Sequence, residues 1–258
     1  MYPSKILNLA AWALQLPVAG STGGVMVIAP PELNTLSNQF FHAANASSDI
    51  SSASKTVNAV DFYTPPDGVT TSGTQSPRTE LRQLNADGSL AAWSYKGTYA
   101  MQVKLAVESF PTNVASGAGG VIVSQLFSTS VVNGPEYVVR AYPNMVQLVD
   151  IFPFFSKTHR IELQERGSNA NGFVNKQTLV SNYAAGTQMT ITLSVINGIL
   201  TVNVDIGTTV TTTIDSADDY YFKAGSYCQT HGSADTGCQV RMYSIELYGF
   251  PGAQAFPP

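Results

Sequence analysis

Apolar and polar residues alternate along several stretches of this chain, and this period of two constrains the fold more than any other feature. Residues 99–109 alternate cleanly, as do residues 190–196 and 200–205. Successive side chains of a β-strand point to opposite faces of a sheet, so each stretch is predicted to be a strand with one buried face. Asn197 and Gly198 separate the last two stretches, and Asn-Gly is typical of a two-residue hairpin turn. The pattern therefore predicts an antiparallel β-protein.

Further strands are predicted at residues 14–17, 120–127, 136–142, 219–229 and 239–248. Evidence for helix is limited to residues 31–41, which can form one or two turns. No linker, charge run or internal repeat divides the 258 residues, so residues 1–258 are predicted to form a single domain. The expected fold class is all-β, a jelly roll or a related sandwich of two antiparallel sheets. Bending one sheet of such a fold would give a concave groove that suits an extended polymer.

The charge content of the chain limits its partners. Charged residues make up 12% of the sequence, with 13 Lys and Arg residues and a formal net charge of -4. Nucleic-acid binding needs a strong positive field, so no nucleic-acid partner is predicted. No segment approaches the roughly 20 apolar residues of a membrane span, so no membrane partner is predicted. An anionic ligand would have to be held by basic residues that are placed locally.

The two cysteines, Cys228 and Cys238, flank a turn-rich stretch of nine residues. A disulfide bond between them would tie this loop down and would indicate an oxidising compartment, which predicts a secreted, extracellular protein. The alternative is a pair of buried free thiols. No metal site is predicted, because His231 is the only other soft ligand near them.

Polar residues with a period of two mark two predicted strands. In the first, Arg78, Glu80 and Arg82 share one face. In the second, Gln125 and Phe127 point the same way. Taken alone, the Arg-Glu-Arg pattern is also typical of a cross-strand salt-bridge ladder, and a lone glutamine is often an internally satisfied amide.

A third strand carries Tyr221, Lys223, Tyr227 and Gln229 on one face, with a gap at Gly225. Tyr227 by itself could be an aromatic packing residue. Arg140, on the strand after Gln125, adds a further cation or else lies at the surface. If the polar faces of the three strands line one groove, they combine cations, amides and phenols in a site for carboxylates and hydroxyls.

The same segments resemble the alginate lyase group, polysaccharide lyase family seven. Ser76-Pro77-Arg78-Thr79-Glu80-Leu81-Arg82 matches the arginine motif of that family, and residues 221–229 match its C-terminal signature. Trp12 with the following Leu14-Gln15-Leu16-Pro17, the pair Phe40-Phe41, and residues 64–73 also fall where family members have similar segments. The resemblance covers nearly the whole chain in order.

Membership would imply a jelly roll with a polyuronate groove, an anionic polysaccharide as substrate, and no cofactor. It would imply that Arg78 and Gln125 contact the substrate carboxylate and that Tyr227 carries the proton. The remaining residues predicted to bind substrate are Arg82, Glu80, Lys223, Gln229, Phe127, Tyr221 and Arg140. We expect the protein to be a monomer.

One position departs from the family. Family members carry Gln-Ile-His or Gln-Val-His on the middle strand, and Phe127 occupies the place of that histidine. A phenyl ring can neither accept a proton nor form a hydrogen bond. The chain has three histidines, His42, His159 and His231, any of which could replace the lost imidazole or could lie at the surface.

The missing imidazole bears on substrate choice. Elimination removes the proton at C5 of a uronate and expels the oxygen at C4. In D-mannuronate and D-glucuronate these two groups lie on the same side of the ring, so one tyrosine can serve both. We therefore expect syn elimination of glucuronan or polymannuronate by an endo-acting enzyme. The alternatives are a guluronate-cleaving lyase with another base and a non-catalytic polyuronate-binding module. A glycoside hydrolase would need two carboxylates at a set separation.

Overall fold

A computed structural model of the chain describes residues 1–21, 23–44, 58–111, 119–129, 136–143, 159–166, 175–216, 218–230 and 236–251. Regular structure in these ranges is almost entirely β. Two short 3-10 helices, Pro3–Lys5 and Glu32–Thr35, are the helical turns of the described residues. The predicted helix at 31–41 is therefore one 3-10 turn. None of the helices in the described part of the chain is long and apolar enough to cross a membrane.

The strands are numbered in chain order. They are β1 (Trp12–Ala19), β2 (Val25–Ile28), β3 (Phe41–Ala43), β4 (Val60–Thr64), β5 (Arg78–Gln83), β6 (Trp93–Ser94), β7 (Thr98–Ser109), β8 (Val121–Ser128), β9 (Glu136–Tyr142), β10 (His159–Arg166), β11 (Asn175–Tyr183), β12 (Met189–Ile196), β13 (Ile199–Val204), β14 (Thr209–Thr213), β15 (Asp219–Cys228) and β16 (Cys238–Tyr248).

These strands form two antiparallel sheets. Sheet A has the order β11-β10-β9-β8-β15-β5-β1-β2, with β6 pairing to β15. Sheet B has the order β14-β13-β12-β7-β16-β4-β3. Each sheet combines strands that are consecutive in sequence with neighbours that are distant in sequence, such as β8-β15-β5 in sheet A and β7-β16-β4 in sheet B, as in Greek-key and jelly-roll connections. The predicted fold class, a jelly roll of two antiparallel sheets, is confirmed.

The hydrophobic core lies between the sheets and explains the alternation seen in the sequence. From β7, Met101, Val103 and Leu105 enter the core, while Lys104 on the same strand is exposed. Leu14 and Leu81 enter it from sheet A. Complete burial of such a side chain contributes roughly 1.5–3 kcal/mol, so the period-two pattern fixes which face of each strand turns inward.

The hairpin between β12 and β13 has the predicted turn. Ile196 pairs with Ile199, and Asn197 and Gly198 lie between them with φ values of 49° and 84°. Positive φ at both central residues is what a type I′ turn requires, and Asn and Gly are the residues that tolerate it best.

Candidate active site

Three adjacent strands at the centre of sheet A carry most of the predicted site residues. Strand β15 pairs with β5 on one side and with β8 on the other. Tyr227 lies opposite Arg78, and Lys223 lies opposite both Arg82 and Gln125. The polar sets recognised on separate sequence segments therefore meet on the face of sheet A that turns away from the core.

Glu80 is the centre of this arrangement. Its carboxylate accepts hydrogen bonds from Arg78 Nη1 at 3.4 Å, from Lys223 Nζ and from Gln125 Nε2. Glu80 is fully buried, and a buried carboxylate is stable only when charged and polar partners neutralise it. We call Arg78, Glu80, Gln125, Lys223 and Tyr227 the Glu80 cluster.

The phenol of Tyr227 lies against the guanidinium of Arg78. Arg78 Cζ is 3.8 Å from the centre of the Tyr227 ring, and Arg78 Nη2 donates to Thr74 Oγ1 at 3.1 Å. Among the described residues, Arg78 Nε has no hydrogen-bond partner. In that part of the chain no hydrogen bond is made by the Tyr227 hydroxyl either. A guanidinium with an unbonded N–H group and a phenol with an unbonded hydroxyl therefore lie side by side.

Gly225 lets the central strands approach each other. Its φ is +146°, and a Cβ atom there would lie 2.5 Å from the carbonyl oxygen of Thr79. The β15–β8 register shifts between Ala224 and Tyr227. Thr64 on sheet B donates its hydroxyl to the Ser226 carbonyl at 2.7 Å, which satisfies a group that the irregular ladder would otherwise leave buried and unpaired.

Aromatic rings border the Glu80 cluster on one side. Arg82 Cζ lies 4.1 Å from the centre of the Tyr221 ring, and the rings of Tyr221 and Phe127 are 5.4 Å apart. Lys223 Nζ is 5.8 Å from the centre of the Phe127 ring. Arg82 therefore stacks on an aromatic ring here, while Glu80 forms ion pairs with Arg78 of its own strand and with Lys223 of the neighbouring strand.

A disulfide bond braces the strand that carries Tyr227. Cys228 follows Tyr227 and points into the core, where it is bonded to Cys238 with a Cα–Cα distance of 5.6 Å. Because β15 belongs to sheet A and β16 to sheet B, the bond joins the two sheets directly behind the cluster. The predicted disulfide is confirmed, and the alternative of two free thiols is wrong.

Gln229 and Arg140 lie beside the cluster. Gln229 follows the last residue of β15, and its side-chain nitrogen is buried without a partner among the described residues. Arg140 is 6% exposed and donates to the Gly119 carbonyl at 3.1 Å, so the alternative of a surface role is wrong. Burial lowers the pKa of Arg140, and the nearby phenols of Tyr142 and Tyr227 and the carboxylate of Glu162 act against that shift.

Two of the three histidines lie away from this face. His42 is on β3 of sheet B, where Nε2 is 3.8 Å from Asp61 Oδ2. The ring of His159 stacks on Phe110 at 4.0 Å, beside the core. Burial lowers the pKa of His159. His231 lies outside the described residues. Neither described histidine can act on a sugar bound at Tyr227.

Sequence reasoning missed five polar residues on the same face. Gln15 lies opposite Glu80 on β1, and its Oε1 is buried without a partner in the described structure. The other four, Tyr142, Arg160, Glu162 and Gln164, lie with Arg140 in a second group on β9 and β10. We call these five residues the Glu162 cluster. Residues 160–164 read Arg-Ile-Glu-Leu-Gln, with the same period of two as Arg78 to Arg82, so the signal was present in the sequence.

A cavity of about 770 Å³ opens elsewhere, beside Trp12, Leu84, Leu247 and Phe250. It shares no lining residue with either cluster, so its size is no guide to the chemistry. No group of three or more His, Cys, Asp or Glu side chains in the described ranges could hold a metal ion.

Comparison with known proteins identifies the family. The profile of the alginate lyase family matches residues 7–249, nearly the whole chain. The chain belongs to the alginate lyase family. It is a polysaccharide lyase, and the predicted family resemblance is confirmed.

Solved structures of alginate lyases agree. Alginate lyase AlgAT5 of polysaccharide lyase family 7 is 25% identical, with a TM-score of 0.70 over 96% of this chain and 98% of that chain. The alginate lyase of Corynebacterium sp. is also 25% identical, with a TM-score of 0.65 over 95% and 97%. An alginate lyase from Pseudomonas aeruginosa, at 20% identity, has the same fold, with a TM-score of 0.73 over 93% and 98%. A search of curated proteins found no match.

Proposed function

We propose that this alginate-lyase-family protein is an extracellular, endo-acting lyase that cleaves β-1,4-linked D-uronate polymers, glucuronan or polymannuronate, by syn β-elimination. The observation that carries the proposal is the pairing of Tyr227 with Arg78 at 3.8 Å, on a sheet face where the described residues provide no imidazole. Relatives whose names state that they are alginate lyases support a polyuronate substrate, since alginate contains mannuronate.

Arg78 and Gln125 would bind the carboxylate of the sugar that is cleaved. Removal of the C5 proton builds negative charge on that carboxylate, and a guanidinium fork stabilises it as it develops. Arg78 keeps Nε for this purpose while Nη1 and Nη2 are held by Glu80 and Thr74. Gln125 donates one amide hydrogen to Glu80 and has a second for the substrate.

Tyr227 would carry the proton in both directions. It takes the C5 proton and returns it to the departing C4 oxygen, which lies on the same side of the ring in both D-uronates. The phenol oxygen carries a negative charge before it takes the C5 proton and again after it has given that proton to the C4 oxygen, and the guanidinium of Arg78 stabilises this charge. No opposing base is needed, which suits a chain with Phe127 in place of histidine.

Glu80 would orient the site without touching substrate. Its carboxylate is fully buried and occupied by three donors, which hold Arg78, Gln125 and Lys223 in fixed positions. Positioning of this kind is what lets a cluster of charges act on a bound sugar without rearrangement.

The residues around the cluster would bind the neighbouring sugars. Phe127 and Tyr221 offer ring faces on which a pyranose ring can pack, and Lys223 and Arg82 place cations beside them. Gln229 offers an unsatisfied amide nitrogen on the opposite side of Tyr227.

The alternatives fit less well. A hydrolase needs two carboxyl groups within about 10 Å, whereas Glu80 and Glu162 are separated by four strand spacings, on the order of 19 Å. A guluronate-cleaving lyase needs a second group opposite Tyr227, and His42 and His159 lie elsewhere. A binding module has no use for a phenol held against a guanidinium.

Secretion, a monomeric state and a single domain are part of the proposal. The disulfide between Cys228 and Cys238 supports an oxidising compartment. One hydrophobic cluster that includes residues of both sheets supports a single domain. Size-exclusion chromatography with light scattering would test the monomer.

The test is an ultraviolet assay of the conjugated 4,5-unsaturated uronate, with glucuronan, polymannuronate, polyguluronate and pectate as separate substrates. Absorbance should rise with one or both of the first two, with chain length falling early as expected for internal cleavage. No rise with any polyuronate would refute the lyase activity. Efficient cleavage of polyguluronate would refute the syn elimination but would leave the lyase activity in place.

A further inference from the structure

The Glu162 cluster repeats the chemistry of the Glu80 cluster on the same face of sheet A. Glu162 accepts hydrogen bonds from Arg160 Nε at 2.6 Å and from Gln164 Nε2 at 2.9 Å. Tyr142 lies between two guanidinium groups, with its ring centre 4.4 Å from Arg140 Cζ and 4.8 Å from Arg160 Cζ. A glutamate, an amide, two arginines and a tyrosine are again gathered in one place.

The two clusters lie in one row across the sheet. Tyr227 pairs with Ile122, Ile122 with Arg140, and Arg140 with Glu162. Two strand spacings separate Tyr227 from Arg140, which is about 10 Å. Ile122, Val138 and Tyr227 form a small apolar group of their own between the clusters. The face therefore carries two cationic clusters in one row, separated by Ile122, which is buried.

A polyuronate carries a carboxylate on every sugar, so two cationic clusters in one row on a sheet face can each bind a carboxylate of the same polymer. The charged side chains of the Glu162 cluster are two arginines and one glutamate, so the cluster carries a net positive charge. The side chain of Arg160 is 42% exposed and can therefore reach a ligand on this face.

The hydrogen bonding of the Glu162 cluster also leaves groups for a ligand. Burial raises the pKa of Tyr142, so its hydroxyl keeps its proton at neutral pH. The hydroxyl oxygen accepts from Gln164 Nε2, which leaves the hydroxyl hydrogen for another acceptor. Gln164 is fully buried, and in the described structure its Oε1 has no hydrogen-bond partner.

We propose that the Glu162 cluster is a second carboxylate-binding subsite of the groove, which holds a uronate remote from the bond that is cleaved. Arg160 and Arg140 supply the positive charge, and Tyr142 donates a hydrogen bond. The inference rests on the proposed function for its ligand. It assigns the cluster to substrate binding and to no step of the elimination.

The experiment compares Arg160→Gln with Lys104→Gln, which removes the same charge from an exposed position on sheet B. For each, kcat and KM are measured on glucuronan and polymannuronate oligomers of increasing length, and melting temperature is measured on the same sample. A hydrogen bond to a charged group is typically worth tenfold or more in binding. In Arg160→Gln, the ratio of kcat/KM for long oligomers to that for the shortest cleaved oligomer should fall roughly tenfold, through KM. In Lys104→Gln the ratio should be unchanged.

An equal loss at every length, or a lower melting temperature with an unchanged ratio, would overturn the subsite and make the cluster a structural ladder. If Arg160→Gln fails to fold, Tyr142→Phe removes one hydroxyl and should shift the same ratio in the same direction. If the native protein cleaves none of these oligomers, the proposed function is refuted, whereas the subsite is not yet tested by that result. Calorimetric titration of the same oligomers then tests the subsite, because Arg160→Gln should weaken binding, and equal affinity would overturn it.

Discussion

The Glu80 and Glu162 clusters contain the same kinds of side chain, yet their hydrogen bonds differ. In the Glu80 cluster, Gln125 donates to the glutamate, and the Tyr227 hydroxyl has no partner in the described residues. In the Glu162 cluster, Gln164 donates both to Glu162 and to the Tyr142 hydroxyl. A phenol without such a bond can exchange a proton with a ligand, whereas a phenol whose oxygen is occupied is held as a donor.

The two glutamates differ as well. Glu80 is fully buried and has two cationic partners, Arg78 and Lys223. Glu162 pairs with Arg160, whose side chain is exposed to water. Similar residue types therefore give a centre whose charged side chains are all buried in one place, and in the other a buried glutamate paired with a partly exposed arginine. Charges interact more strongly where water is excluded, so the Glu80 cluster is expected to be the more tightly held.

The largest contrast is expected between the two tyrosines. Tyr227→Phe should lower kcat by at least about 100-fold, since general acid–base catalysis is typically worth that much, while polymer binding and melting temperature stay nearly the same. Tyr142→Phe should change KM by a few-fold and keep kcat. Steady-state kinetics with a melting curve on each sample checks both.

Tyr220→Phe is the matched control for Tyr227→Phe. Tyr220 is on the same strand but lies in the core, where its hydroxyl donates to the Asp215 carbonyl at 2.9 Å. Its loss should cost about 1 kcal/mol of stability and leave kcat unchanged. Retention of more than about a tenth of the rate by Tyr227→Phe would move the proton carrier to another residue.

The two glutamates should differ in stability. Glu80→Gln leaves Arg78 and Lys223 buried without their counter-charge, which is expected to cost about 3–5 kcal/mol of unfolding free energy. Glu162→Gln should cost about 1 kcal/mol or less, because Arg160 can be solvated. Urea unfolding curves measure both, and equal losses would contradict the distinction between a glutamate with buried cationic partners and one whose partner, Arg160, is partly exposed.

Arg78→Lys tests whether the Glu80 cluster needs a planar cation. The charge is kept but the fork and Nε are lost, so kcat should fall on the order of tenfold or more. Arg241→Lys on sheet B is the control, because Arg241 forms a similar forked pair with Asp61 at 2.8 and 3.1 Å. The control should lose stability and keep kcat. If Arg78→Lys behaves in the same way, the arginine is structural.

The disulfide should support only the Glu80 cluster, since it lies behind β15. Replacing Cys228 and Cys238 by alanine should cost about 2–3 kcal/mol, as expected for a closed loop of this length. Hydrogen exchange should increase in β15 and β16 more than in β9 and β10. An equal increase in all four strands would show that the bond stabilises the fold as a whole.

Phe127→His should have the smallest effect. It places an imidazole beside the Glu80 cluster and should add slight activity on polyguluronate, because a base also needs support from surrounding residues. Activity on the native substrate should fall a few-fold as the Phe127–Tyr221 contact is lost. Phe127→Leu removes the ring without adding a base, so guluronate activity in that variant would show that the imidazole is not the cause.

Much of the fold and of the Glu80 cluster could be predicted from sequence. The period of two identified β7, β12, β13 and β16, and the Asn197-Gly198 turn fixed one hairpin. The face shared by Arg78, Glu80 and Arg82 followed from the same period. These features are local, because the backbone geometry of a strand or a turn dictates where each side chain points.

The pairing within the cluster could not be predicted in this way. Besides Arg78, Glu80 pairs with Lys223, which is 143 positions away in the sequence and on the neighbouring strand. Gln15 was missed because nothing local relates β1 to the central strands. The Glu162 cluster has a period of two at residues 160–164, but the sequence does not show that this face is shared with Tyr227. Strand order in a sheet depends on long-range packing, which no short stretch encodes.

The sequence by itself determined that the chain is a two-sheet β-protein of the alginate lyase type, with a tyrosine, an arginine and a glutamine on strand faces. Only the tertiary structure decided that Glu80 is buried under three donors, that the disulfide joins the two sheets, and that His42 and His159 lie away from Tyr227. The physical reason is that alternation along a strand is set by the backbone of that strand, whereas burial, charge pairing and access to a ligand are set by which strands become neighbours.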